Sequence, residues 1–169
     1  MCWAGGVRHE YRQVTTLDEA LRIAGELPAR TVVLDVEPVV AEWRGDQHDL
    51  DRGVARALRQ AAAVPGVLVV CFATNSARRP TAVPSWPGVR TVYLASADKP
   101  FRTGPYRGFP VPAILVGDQV ATDGVLAWRL GYAFVHFRPD PRRVPAGPRL
   151  LSRAGQAIRP ALFCGRRRG

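Results

Sequence analysis

The chain has 169 residues, 47% of them hydrophobic and 22% charged, and a net charge of +10, which fits one globular domain and excludes a chain disordered throughout. No apolar run approaches the ~20 residues of a membrane span. The opening residues, Met1-Cys2-Trp3-Ala4-Gly5-Gly6-Val7-Arg8, lack the apolar centre of a secretory signal, so a cytoplasmic protein is expected.

In chain order, residues 1–13 have no clear period and read as an arm or loop. Thr15 or Thr16 can cap a helix, with Asp18 and Glu19 in its first turn, and Leu17, Ala20, Leu21, Ala24 and Leu27 follow at helical spacing. Thr31-Val32-Val33-Leu34-Asp35 is a continuous apolar run that breaks at an acid, the mark of a buried parallel strand. Glu37-Pro38 then imposes a loop. A helix is expected from Asp49 or Asp51 to Ala63, with Val54, Leu58 and Ala62 as its stripe. Val67 to Ala73 is a second strand, ending at Thr74-Asn75-Ser76, and Cys71 within it reads as a small core residue. Cys2 and Cys164 lie far from it, and the three cysteines form no zinc or redox spacing. Val89 to Leu94 is a short third strand, followed by Lys99. Prolines and glycines from Phe101 to Pro112 argue against a long helix. Ala113 to Gly117 is the fourth strand, ending at Asp118, and Asp123 follows where a helix should begin; that acid reads equally well as a helix N-cap. Gly124 to Gly131 is expected to be that helix, with Val125, Leu126 and Trp128 inward and Gly131 as its C-cap. Tyr132 to Phe137 is a fifth strand, and Leu150 to Leu162 an amphipathic helix before a tail at Arg166 to Arg168. The chain therefore divides into an arm and first helix over 1–30, a core over 31–139, and a basic extension over 140–169, within a single domain.

Strand and helix signals alternate, which predicts an α/β fold with a parallel central sheet of about five strands and helices on both faces. The intervals from Asp35 to Thr74 and from Thr74 to Lys99 are too short for a large cap domain. Four strand ends then share one edge, where open α/β sheets bind ligands. They carry Asp35 with Glu37, Thr74 with Asn75, Lys99, and Asp118 with Asp123. Carboxylates at one point suit Mg²⁺, which favours a few carboxylate oxygens. An ammonium and a hydroxyl beside them suit a phosphoryl group, and an Asp can attack phosphorus. Lys99 stands out because it is the single lysine among 24 basic residues, leaving 23 arginines. A compact ammonium and a planar guanidinium are not interchangeable.

The segment Gly117-Asp118-Gln119-Val120-Ala121-Thr122-Asp123, with Arg129-Leu130-Gly131, resembles the haloacid dehalogenase (HAD) superfamily, and within it the YqeG-like phosphatases of subfamily IIIA. Asp35 to Trp43, Thr74 to Arg79 and Lys99-Pro100 are similar to its other motifs. The resemblance implies a Rossmannoid fold and a Mg²⁺-dependent phosphomonoesterase working through an aspartyl-phosphate. In that scheme Asp35 is nucleophile and metal ligand. Glu37 holds the acid/base position, with its backbone carbonyl on the metal. Thr74 binds the phosphoryl group, Asn75 is counted with it as substrate-binding, and Lys99 stabilises the charge. Asp118 and Asp123 complete the metal site. Relatives in the subfamily act on phosphatidylglycerophosphate, and Arg142, Arg143 and Arg166 to Arg168 suit peripheral contact with an anionic membrane. The first motif departs from the family: Glu37 stands where Asp is usual, and Pro38-Val39 where Asn-Thr is usual. The alternative is therefore a weak or inactive relative that binds Mg²⁺ and phosphate in a regulatory role. No nucleic-acid-binding motif supports the positive charge as a nucleic-acid surface. Arg78 and Arg79 read either as substrate contacts or as a solvated turn, and neither His48 nor His136 has metal-ligand spacing. Substrate and oligomeric state are not encoded in any motif.

Overall fold

The structure, a computed structural model, describes residues 10–142 and 155–163. The described chain runs β1 (Tyr11–Val14), α1 (Leu17–Glu26), β2 (Thr31–Asp35), α2 (Gln47–Ala62), β3 (Val69–Ala73), β4 (Arg90–Leu94), β5 (Ala113–Gly117), α3 (Val125–Leu130) and β6 (Ala133–Phe137). A helical segment over 155–162 follows. The strands form one six-stranded sheet in the order β1-β6-β5-β2-β3-β4, and every pairing is parallel. The architecture is α/β, and among the described residues no inserted cap domain lies between strand ends.

Each central strand is buried on both faces, so its side chains alternate between two cores. Val32, Leu34, Val70, Phe72, Ile114 and Val116 pack on one side with Ala20, Leu21 and Ala24 of α1 and Leu50, Val54 and Leu58 of α2. Val33, Cys71, Leu115 and Phe134 pack on the other with Leu126 and Ala127 of α3 and with Phe163. The C-terminal segment thus belongs to the second core. The 150–154 part of its expected helix lies outside the described residues, as do Cys2, His9, Arg143, Cys164 and the Arg166–Arg168 tail.

The sheet has six strands where the sequence predicts about five. The extra one, β1, comes from the segment read as an arm. Its two middle residues, Arg12 and Gln13, are both polar, and of its four only Val14 is buried, so no apolar run betrays it. It is held instead by β6: Phe134 N–H donates to Glu10 O at 2.8 Å and Arg138 N–H to Val14 O at 2.8 Å. The Tyr11 ring packs 5.3 Å from Phe163 and 5.9 Å from Phe134, centroid to centroid.

Helix ends follow local chemistry. Thr16 makes a full capping box with Glu19 at the start of α1. The second helix starts earlier than Asp49 or Asp51, because Asp46 accepts the Asp49 N–H at 2.8 Å. Asp51 instead accepts the N–H and hydroxyl of Thr81. Gly131 caps α3 at φ 73°, the left-handed conformation that favours glycine. Trp128 does not face inward as expected. It is 44% exposed, since the short α3 buries only Leu126 and Ala127.

Just past the end of β2 the chain turns through 36–41, with Val40 and Ala41 N–H groups both donating to Val36 O at 2.9 Å. Helix α2 lies against that turn at Gly53, where an added Cβ would fall 2.4 Å from Val40 O. Gly53→Ala should therefore lose about 1–3 kcal/mol of stability, an overpacking cost that exceeds the ~1 kcal/mol by which Ala favours a helix. Urea unfolding reads the outcome, and an unchanged or raised midpoint would show that the approach is not tight.

Candidate functional site

The chain leaves β4 on one side of β2 and returns as β5 on the other, so β2 and β5 flank the point where strand order reverses. Asp35 is the last residue of β2, and Asp118 follows the last residue of β5. Asp123 sits in a wide turn, Val120–Gly124, closed by the Asp123 N–H on Gln119 O at 2.8 Å. It is no N-cap, since the cap of α3 makes no side-chain hydrogen bond. Its carboxylate folds back over the end of β5, accepting the Gln119 N–H at 3.2 Å. Only glycine at position 117 permits this: a Cβ there would lie 2.4 Å from Asp123 Cγ.

Lys99 reaches the same point from the loop after β4. Its Nζ donates to Asp35 Oδ1 at 2.7 Å, Asp123 Oδ1 at 2.7 Å and Ala73 O at 3.1 Å, which uses all three ammonium protons. One oxygen from each of Asp35, Asp118 and Asp123 lies within 4.8 Å of the others, close enough to hold a metal ion. All three residues and Lys99 are buried.

The charges do not balance. Three carboxylates face one ammonium, leaving two negative charges uncompensated if all ionise. Asp118 bears the excess: its Oδ1 is buried without a hydrogen-bond partner, a costly state for a carboxylate oxygen. Burial, and next the Asp123 carboxylate, push the Asp118 carboxyl up to about 8 against the pull of Lys99. Burial and Asp123 likewise raise Asp35 well above the ordinary range, with Lys99 opposing. Burial depresses Lys99, but Asp123 and Asp35 more than reverse it, so its ammonium is held charged. A divalent cation would cancel the remaining two charges and satisfy the orphaned oxygen. The donor set, all carboxylate oxygens, suits a hard ion.

The residues around this centre serve to position it. Asn75, expected among the substrate contacts, spends its amide on the Lys99 backbone: Oδ1 accepts Lys99 N–H at 2.7 Å and Nδ2 donates to Lys99 O at 3.0 Å. Arg129 Nη1 donates to the carbonyls of the next two residues, Pro100 and Phe101. Thr74 lies beside Glu37, its hydroxyl donating to Glu37 Oε2 at 2.7 Å while Oγ1 accepts the Ser76 N–H at 3.0 Å. The Glu37 carboxylate turns toward Thr74 and Arg78 and is not part of the three-carboxylate group. Arg78 donates to Glu37 Oε1 at 3.1 Å and to the carbonyls of Glu42 and Gly45. It therefore knits the loop after β2 together rather than facing solvent.

His136 is a positioning residue that sequence reasoning missed, and Arg129, singled out only as part of a motif, is another. Opposite Gly117 in the β5–β6 register, His136 has Nε2 3.0 Å from Asp118 O and Nδ1 2.7 Å from the Tyr11 hydroxyl. A carbonyl only accepts, so Nε2 carries the proton and the Tyr11 hydroxyl donates to Nδ1. Burial lowers the His136 pKa and favours this neutral form. No local pattern marks it, because its partners are 18 and 125 residues away. Cys71 is buried beneath the site, and burial pushes its thiol up to about 12, which makes it inert. No helix among the described residues is long and apolar enough to cross a membrane.

Comparison with protein-family models, with curated proteins and with solved structures finds no match to this chain.

The raised Asp118 pKa fixes a sign. An unfolded Asp titrates near ~4 and the folded one near 8, so between those values the folded state holds the extra proton. Without a divalent ion, stability should fall as pH rises from about 4 to 8 and be lowest above 8. Denaturation in EDTA at pH 5 and pH 8 should show this fall, and Asp118→Asn should reduce it. Mg²⁺ should restore more stability at pH 8 than at pH 5, where a proton competes for the carboxylate. A pH-independent wild type, or equal Mg²⁺ stabilisation at both values, contradicts the charge imbalance.

Proposed function

We propose that this chain is a Mg²⁺-dependent phosphomonoesterase of the HAD type, with Asp35 as nucleophile. The observation that carries the proposal is the Asp35–Lys99–Asp123 ion group at the strand-order reversal, with an unpartnered Asp118 oxygen beside it. The HAD-like motifs in the sequence fall on these same residues.

The roles follow from the contacts. Asp35 Oδ1 is held by Lys99, while Oδ2 accepts no hydrogen bond among the described residues and is the oxygen that attacks phosphorus. Lys99 fixes the rotamer of the attacking carboxylate and presents positive charge where the transferred phosphoryl oxygens gather. The residues that would hold Mg²⁺ are Asp35, Asp118 and Asp123, and the ion would supply further charge against those oxygens. Thr74 offers its hydroxyl to the phosphoryl group once it releases Glu37. Attack by Asp35 expels the alcohol and leaves an acyl phosphate, which water hydrolyses with return of the carboxylate.

Glu37 is the weak link. Both of its oxygens are engaged, one by Arg78 and one by Thr74. In this state it can accept a proton from the hydrolytic water, but protonating a leaving alcohol requires it to gain a proton while paired with a guanidinium. That engagement favours the second reading, a protein that binds Mg²⁺ and phosphate with little turnover. It also predicts a preference for aryl phosphates, whose leaving groups depart without an acid. The lipid phosphate rests on the resemblance and on basic residues of which Arg142 alone is described.

Hydrolysis of an aryl and an alkyl phosphate, each with and without Mg²⁺, separates the readings. Wild type should turn over the aryl ester only with Mg²⁺, and Asp35→Asn should lose at least ~10³-fold, the scale of removing a nucleophile. The alkyl ester should lag by ~10²-fold or more, the usual worth of a missing general acid. A lipid phosphomonoester in anionic vesicles, run in parallel, tests the substrate class. If wild type and Asp35→Asn are equal on all three substrates while Mg²⁺ still binds, the non-catalytic reading holds.

A further inference from the structure

A second polar concavity lies away from the acidic centre, on the sheet face covered by α3. It is a cleft of about 250 Å³ between the 103–111 segment and the end of α3, and Thr103, Arg107, Phe109, Arg129, Leu130 and Tyr132 line it. No acidic residue contributes to the lining. Neither Arg107 nor Arg129 has a carboxylate within ion-pair distance among the described residues. A third guanidinium, that of Arg90, stands 5.8 Å from the Phe109 ring centroid. Thr103, only 9% exposed, also lines the cleft. The floor is packed: Phe109 and Tyr132 are buried, and the Tyr132 hydroxyl donates to Tyr106 O at 3.0 Å.

Two guanidiniums without counter-charges and the Thr103 side chain line one half-open cleft. Planar guanidinium forks match phosphate oxygens, and a hydroxyl adds a further donor. The volume is below the ~300–1,000 Å³ of pockets that take drug-sized ligands, so the occupant is small. We propose that this cleft is a binding site for a small phosphate-bearing anion, held by Arg107, Arg129 and the Thr103 hydroxyl, separate from the Asp35 centre. The ligand is inorganic phosphate or a short metabolite carrying a phosphate group. Arg129 also holds the carbonyls of Pro100 and Phe101, next to Lys99, so the cleft shares one side chain with the support of the acidic centre.

Calorimetric titration in EDTA tests the site independently of any phosphatase activity. Without a divalent ion the three-carboxylate centre offers no metal to hold phosphate, and its one ammonium is already engaged by Asp35, Asp123 and Ala73 O. Inorganic phosphate and glycerol 3-phosphate are titrated separately at low salt, and the tighter of the two identifies the free or the esterified source. Wild type should bind one equivalent. Arg107→Ala should weaken binding by about 10-fold or more, the range for hydrogen bonds to charged groups, and the uncharged change Thr103→Val by a smaller factor. Arg56→Ala, on the exposed side of α2, removes the same charge elsewhere and should leave binding unchanged. Absence of saturable binding to wild type overturns the proposal, as does an Arg107→Ala protein that binds like Arg56→Ala.

Discussion

The Lys99 ammonium, held between Asp35 and Asp123 and backed by Ala73 O, is the contact on which the rest of the site depends. It brings two buried carboxylates to one cation and leaves the third, Asp118, with an oxygen that nothing in the protein satisfies. Burying like charges together costs several kcal/mol per ion after relaxation, so the arrangement gains nothing as a stability device. A fold seeking stability alone would place apolar side chains there. The imbalance makes sense as a receptacle for a cation supplied from outside.

Much of the surrounding structure keeps that contact in place. Parallel pairing of β2 with β5 sets Asp35 and Asp118 at neighbouring strand ends. Gly117 gives way so that the Asp123 carboxylate can turn back toward Lys99. Asn75 grips the Lys99 backbone from the end of β3, and Arg129 grips the two residues beyond it from α3. His136 ties the Asp118 carbonyl to the Tyr11 hydroxyl of the edge strand. Arg78 does the same for the loop after β2 and in doing so occupies Glu37. All of these supports but the last favour a charged, pre-organised centre. The last restrains the residue that would handle the leaving-group proton.

The parts of this arrangement legible in the sequence were those written locally. Continuous apolar runs ending in acids give β2 and β5 with Asp35 and Asp118, because a strand buried on both faces has no polar alternation to confuse it. Lys99 was visible because a compact ammonium among arginines is conspicuous. What was not legible depends on distant partners. β1 exists because β6 offers it an edge. Trp128 is exposed because α3 is too short to bury it. Asn75 clamps a backbone 24 residues away, and His136 answers to a tyrosine 125 residues away. The cleft at Arg107 and Arg129 forms only when the 103–111 segment folds against α3, so no spacing in the sequence announces it.

The most direct test of the central claim is to trap the acyl phosphate. During turnover of an aryl phosphate with Mg²⁺, borohydride reduces an aspartyl-phosphate to homoserine, and peptide mass spectrometry locates the change. Reduction at Asp35, dependent on both substrate and Mg²⁺, is the expected result. Turnover with no reduction at Asp35, or with reduction at another carboxylate, would contradict the account.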